Sequence, residues 1–196
     1  MKKKEKLSVD IPTIEEIENE QKRLRHRAVY QRTLRGTIAV LLVVAAISVL
    51  VATLWMPVLQ IYGSSMSPTL EAGQIVVSVK TNQLKTGEVV AFWQGNKLLV
   101  KRVIAGPGQW VDIDMDGNVT VDGKELTEDY LDVKALGNCD VELPHQVEES
   151  RWFLMGDNRD VSVDSRSAAI GDVSKDQIEG KIVFRIWPLK EFGSVQ

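Results

Sequence analysis

Three short stretches of this 196-residue sequence carry residue types that can do covalent chemistry. The first is YGSSMSPTL, residues 62–70. Gly63, the small hydroxyl residues Ser64 and Ser65, and Pro68 describe a tight exposed turn. Such a turn presents a hydroxyl oxygen and leaves backbone N–H groups free to stabilise an oxyanion. A plain linker turn has the same local chemistry. The second is Lys101, in KLLVKRVIA at 97–105. Period-2 alternation puts Lys101 on the face of Leu99 and Val103, and Arg102 on the face of Val100 and Ile104. Both faces are apolar, so at least one of the two cations is partly desolvated. Desolvation lowers the pKa of a lysine and fits it to act as a general base near neutral pH, whereas arginine cannot be tuned that way. The competing outcome is a lysine that snorkels from a sheet edge. The third stretch is GDNRDVSVDSR, residues 156–166. Ser162, Asp164 and Arg166 share one parity and project together if the segment is extended, so that Ser162 and Asp164 can orient a neighbouring lysine. Arg159 and Arg166 can compensate the aspartates. A solvated Asp/Asn loop is the alternative.

Together the stretches suggest a serine nucleophile with a lysine base, since a serine hydroxyl needs an adjacent base at neutral pH. Histidine, the commoner base, occurs only as His26 and His145. His26 precedes the apolar segment described next, so a Ser–His–Asp triad is open only through His145, and a Cys139–His145 pair is weaker still. Two histidines and one cysteine offer few ligands for a transition metal, and neither a metal nor another cofactor is expected. Asp112, Asp114 and Asp116 imitate the start of a calcium loop. The position of the required bidentate acid holds Gly123, and a hairpin with one wet face explains the aspartates better. Asn118-Val-Thr120 forms a glycosylation triplet that says little alone.

The elements that must position these residues follow from the distribution of charge. The formal net charge of −3 is unlike that of a protein binding nucleic acid through overall positive charge. It averages three regions. Residues 1–35 hold ten Lys/Arg and six Asp/Glu, residues 36–70 hold no charge, and the remainder holds 14 basic and 21 acidic residues. Thr37–Met56, TIAVLLVVAAISVLVATLWM, supplies the roughly 20 apolar residues that a helix needs to cross a hydrocarbon core of about 30 Å. The run begins too late and extends too far for a cleaved secretory signal. We therefore expect a cytoplasmic segment at 1–36, a transmembrane anchor at 37–57 and an extracytoplasmic domain at 58–196. Six Lys/Arg at 21–35, against none between the anchor and Lys80, orient the N-terminus to the cytoplasm. Trp55 and Tyr62 sit where interfacial aromatics belong. The lone Cys139 allows no disulfide within the chain.

After Pro57 the sequence is rich in β-branched residues and turn chemistry. Strands are expected near 73–80, 87–93, 97–105, 109–115, 118–123, 151–156 and 180–187, separated by GN, GPG, DGN and GDN clusters. Residues 126–150 are acidic and irregular. The expected fold is mostly β, one antiparallel domain attached to one N-terminal transmembrane helix.

GSSMSPTL (63–70), KRVIAGPGQ (101–109) and GDNRDVSVDSR (156–166), in this order, resemble the motifs of bacterial type I signal peptidase. These are membrane-anchored serine proteases that remove signal peptides from exported proteins. The resemblance implies that Ser65 is the nucleophile, Lys101 the general base, and Ser162 and Asp164 the residues that position the lysine. It also implies that the Ser65 backbone N–H forms part of the oxyanion hole. The substrates would be secretory preproteins with small residues at the first and third positions before the cut. The enzyme would act as a monomer at the bilayer without a cofactor. Two positions depart from the pattern: Gly63 stands where some members place a serine that donates to the oxyanion, and Val161 where many carry asparagine. The single anchor looks like that of Gram-positive members. Two other readings share parts of the pattern. One is a self-cleaving Ser–Lys protease of repressor type, from which the anchor differs. The other is an inactive membrane-tethered binding module, which has no need of both Ser65 and Lys101.

Overall fold

A computed structural model describes residues 13–81 and 83–195. The chain divides into two compact units, Met1–Val51 and Ala52–Gln196. The first is helical. One helix, α1, runs over Ile14–Trp55. At 1.5 Å per residue its charge-free end, from Gly36 to Trp55, is about 30 Å long. The side chains of this stretch are exposed, as an apolar helix meant for lipid rather than for a protein core would leave them. The basic stretch expected before the anchor continues the same helix, with Glu15 and Glu16 in its first turn, where acids suit the helix dipole. The expected cytoplasmic segment lies in part outside the described residues.

The second unit is antiparallel β. Its strands are β1 (Val58–Gln60), β2 (Ile75–Val79), β3 (Val89–Gln94), β4 (Lys97–Ala105), β5 (Trp110–Ile113), β6 (Val119–Val121), β7 (Lys124–Glu125), β8 (His145–Gln146), β9 (Arg151–Met155), β10 (Val173–Ser174), β11 (Ile178–Trp187) and β12 (Gly193–Ser194). The larger sheet has the order β1-β2-β11-β3-β4-β9-β10, with β12 added to β11. The smaller has the order β7-β6-β5-β8. The seven expected strands are all present. β5 and β6 form the expected hairpin, in which Val111 pairs Val121 and Ile113 pairs Val119. In its turn the Asp114 carboxylate accepts from the backbone N–H of Asp116 and Asn118. Asp114 thus serves the hairpin as a turn cap.

Three apolar clusters fix these layers. Ile61, Met66, Leu70, Val76, Ala91 and Ile182 pack under the turn that follows β1. Val90, Phe92, Val103, Leu154 and Val173 form a second cluster on the large sheet. Ile104, Val111, Val119, Phe153 and Met155 join the two sheets. β4 lies between β3 and β9, and its second half, residues 101–105, is buried. Residues 126–144 contain no strand and form a long connection between β7 and β8.

Candidate active site

Ser65 is set by its neighbours in sequence. Met66 and Leu70, four residues apart, are buried in the core, and the Leu70 N–H donates to the Met66 carbonyl at 2.8 Å. Backbone bonds between Ile61 and Gln74, and between Gly73 and Ile61, close the base of the turn. Gly63 has φ +82°, a left-handed conformation that glycine adopts without strain. Apolar anchors on a hydrogen-bonded turn thus hold the half-buried Ser65 at its surface. Its carbonyl accepts from the Asn158 N–H at 3.1 Å. Among the described residues, no protein group accepts a hydrogen bond from the Ser65 N–H.

Lys101 lies in the middle of β4, where its backbone register pairs with Val90 of β3. Its side chain is buried, and its Nζ is 2.6 Å from Ser65 Oγ. Desolvation lowers its pKa to about 8, against partial opposition from the negative charges of Asp164 and Asp157. At this pKa a substantial fraction of the amine is neutral near pH 8. The neutral amine can accept the proton of the Ser65 hydroxyl.

Arg102 is buried as well, so both cations of the pair are desolvated. The arginine is compensated by a two-pronged ion pair with Asp157, Nε to Oδ1 at 2.9 Å and Nη2 to Oδ2 at 2.7 Å. It also donates to the Gly87 carbonyl and to Thr69 Oγ1, and so ties β4 to the Ser65 turn. Lys101 has no such counterion in contact, so the desolvation that lowers its pKa is left largely uncompensated.

The 156–166 stretch is a looped turn and not the extended segment on which the parity argument rested. Ser162 N–H donates to the Asn158 carbonyl and Ser167 N–H to that of Asp164. Burial alternates only as far as Asp164: Ser162 and Asp164 are buried between exposed Val161 and Val163, and Ser165 and Arg166 are both buried. The Asp164 carboxylate accepts from Arg166 Nε and Nη2, each at 2.9 Å, and from the Gly156 N–H at 2.8 Å. Burial pushes its pKa up, but the arginine and the backbone N–H outweigh this and hold it below the usual carboxylate range. Arg159 pairs with Glu128 and not with an aspartate. Neither Ser162 nor Asp164 hydrogen-bonds to Lys101 Nζ; Asp164 acts on it through its charge. Ser162 Oγ is buried against Gly156; no partner has good hydrogen-bond geometry, but the hydroxyl is near enough to the Asp164 carboxylate to help keep it ionised.

Ser65 and Lys101 open onto a cleft of about 510 Å³ whose other walls include Leu59, Ile61, Leu98 and Val100. Such a largely apolar cleft suits apolar groups better than charged ones. His145 is engaged elsewhere, 3.0 Å from Asp172 and tilted against Phe153, and Cys139 Sγ contacts the Val141 carbonyl. Ser65 Oγ is therefore met by Lys101 and by neither of these. Among the described residues no cluster of three or more His, Cys, Asp and Glu has the arrangement of a metal site. Sequence reasoning missed the partners of the arginines, Asp157, Glu128 and Tyr130. The pattern of buried charge at Asp157, Arg159 and Arg166 was visible only as unusual polarity.

The sequence model of the signal peptidase family, peptidase S26, matches residues 34–187. A signal peptidase IB of Staphylococcus aureus is 39% identical over 153 residues, covering 67% of this chain and 78% of the relative. A signal peptidase I of Bacillus licheniformis is 32% identical over 169 residues, covering 78% of this chain and 88% of that one. A signal peptidase I structure from Enterococcus faecalis is 25% identical, with a TM-score of 0.43, and covers 52% of this chain and 98% of its own. The chain is a serine peptidase, a hydrolase of peptide bonds. It belongs to the signal peptidase family, peptidase S26, which sets aside the repressor-type reading and the inactive binding module.

Proposed function

We propose that this chain removes signal peptides from secretory preproteins through a Ser65–Lys101 dyad. The observation that carries the proposal is the 2.6 Å approach of Lys101 Nζ to Ser65 Oγ on an apolar cleft. Neutral Lys101 takes the hydroxyl proton as Ser65 Oγ attacks the scissile carbonyl carbon. The Ser65 N–H donates to the resulting oxyanion. Collapse breaks the C–N bond, and the lysine ammonium returns its proton to the leaving amine, the new N-terminus of the mature protein. The signal peptide remains as an ester on Ser65. Lys101, neutral again, removes a proton from water as the water oxygen attacks the ester. The ammonium then returns that proton to the departing Ser65 Oγ, and the signal peptide leaves as a carboxylic acid that ionises in solvent. The charge of Asp164 and the contacts of Ser162 hold the lysine and the loop beside it in place. Small residues at the first and third positions before the cut fit the cleft, and larger ones overlap with its walls. No cofactor enters any step.

The membrane arrangement belongs to the same proposal. Residues 37–57 cross the bilayer, 1–36 lie in the cytoplasm, and 58–196 form an extracytoplasmic catalytic domain acting as a monomer. The positive charge of residues 21–35 supports this orientation. Because Ser65 follows the apolar run within about ten residues, a substrate still held by its own signal helix is presented at the right depth.

The test is cleavage of a preprotein by the full-length protein in lipid vesicles, with the product's N-terminus determined. We expect a single cut after a small residue, and none by Ser65→Ala; absence of cleavage by the wild type, or equal cleavage by the variant, refutes the proposal. The pH dependence is a separate prediction. Protonated Lys101 cannot act as base, so the rate should fall about tenfold per pH unit below its pKa of about 8 and level off above it. A profile flat from pH 6 to pH 9 would contradict lysine as the base.

A further inference from the structure

We infer that Glu128 and Tyr130, in the connection that leaves the small sheet after β7, are positioning residues for the reaction at Ser65. The inference rests on the Ser65–Lys101 reading above and adds residues that neither approach the dyad nor belong to its three motifs.

The contacts converge from two sides on one short piece of backbone. The Tyr130 ring covers the Arg102 guanidinium, whose carbon lies 3.8 Å from the ring centre. Arg102 follows Lys101 in β4 and grips the Asp157 carboxylate with two hydrogen bonds. The Tyr130 hydroxyl donates to Glu128 Oε1 at 2.9 Å. Glu128 pairs with Arg159, and Arg159 Nε donates to the Gly156 carbonyl at 3.1 Å. The two arginines thus hold Gly156 by its carbonyl and Asp157 by its side chain. The next residue, Asn158, donates its N–H to the Ser65 carbonyl. Glu128, Arg102, Arg159 and Asp157 are all buried, and Tyr130 is half-buried.

A buried guanidinium needs its face as well as its edge satisfied. The ring supplies the face, by cation–π attraction strengthened where water is excluded. Without the ring, water reaches the Arg102–Asp157 pair and the pair gains freedom. The Gly156–Asn158 backbone that supports the nucleophile turn then gains freedom with it. Burial and the Glu128 charge push the Tyr130 pKa up, so its hydroxyl remains a donor to Glu128 throughout the working range. The small sheet, which contributes nothing to the cleft, is in this way joined to the chemistry.

The deciding experiment compares Tyr130→Leu, Tyr130→Phe and Glu128→Gln with wild type and with Lys101→Ala, all full-length in vesicles, on one preprotein. Thermal midpoints are measured alongside, and kinetics are run well below the lowest of them. Tyr130→Leu should lower kcat about tenfold with KM within about twofold, because a loosened support raises the barrier without altering the cleft. Tyr130→Phe keeps the ring over Arg102 and should stay within about threefold of wild type. If Tyr130→Leu does not fold, Glu128→Gln, which preserves shape and removes the charge facing Arg159, should show the same loss confined to kcat. Wild-type kcat in folded Tyr130→Leu overturns the inference. So does a loss shared equally by Tyr130→Phe, or one that appears in KM. Cleavage by Lys101→Ala would instead refute the dyad, whatever the Tyr130 variants do.

Discussion

Replacing Lys101 by methionine is expected to lower kcat/KM for preprotein cleavage by about a thousandfold or more. Methionine keeps most of the volume and apolar character of the side chain in the middle of β4, so the packing between β3 and β9 is preserved and the basic nitrogen alone is removed. Lys101→Arg should be as inactive. A guanidinium is not deprotonated in the working range, and at this position it places a second permanent cation next to Arg102. Ser65→Ala should fall to a similar floor. In the proposed dyad the two groups act as one unit, so the Ser65→Ala/Lys101→Met double variant should be no worse than the slower single variant. Activity is read from initial rates, and folding from unchanged thermal midpoints. A Lys101→Met enzyme within tenfold of wild type would remove the lysine from the proton transfer. Losses that multiply in the double variant would show that Ser65 and Lys101 act separately.

Much of this site was legible because it depends on short-range rules. The Ser65 turn needs a glycine free to take positive φ and two apolar anchors one turn apart, and GSSMSPTL displays both. Lys101 stood out because a strand flanked by apolar residues on both faces must bury a cation. The strands were visible as β-branched runs bounded by turn residues. Their pairing was not. That β11, near the end of the chain, inserts between β2 and β3 is decided by contacts between distant segments, which no local pattern encodes. The same holds for the compensation of charge. Arginines 102 and 159 find their acids 55 and 31 residues away, the second in the acidic segment that looked merely irregular. The 156–166 stretch shows how a correct grouping can rest on a wrong conformation. Ser162, Asp164 and Arg166 are buried together, yet through turns closed by hydrogen bonds and not by strand alternation. Exposed valines at 161 and 163 beside buried polar neighbours invert the usual pattern. Such an inversion in a sequence signals a loop whose polar side chains are spent on internal bonds.

Gly156→Ala should cost about a hundredfold in kcat/KM although it adds one methyl group to a residue with no ionisable atom. Gly156 directly follows β9 and leads into the loop, and it is buried. A Cβ there would lie 2.5 Å from the Ser65 carbonyl oxygen and 2.6 Å from Ser162 Cβ, and would overlap Ser162 Oγ as well. These are backbone and short side-chain atoms that cannot swing aside. The methyl must therefore move the Ser65 turn away from β9 or push the Asn158 N–H off the Ser65 carbonyl. Either shift alters the 2.6 Å approach of Ser65 Oγ to Lys101 Nζ, and a misplacement of about 1 Å costs about a hundredfold in rate. Overpacking of this kind costs about 1–3 kcal/mol of stability, which a folded domain can tolerate, so the variant should remain measurable. Gly63→Ala is the informative contrast. Its Cβ would meet nothing within 4 Å, and its burden is the positive φ alone. Combining Gly156→Ala with Ser162→Gly separates the two contacts. Removing the Ser162 side chain leaves the methyl against the Ser65 carbonyl, so activity should stay well below that of Ser162→Gly alone. Full recovery in the double variant would mean that the glycine makes room only for Ser162, and that the placement of Ser65 does not depend on it.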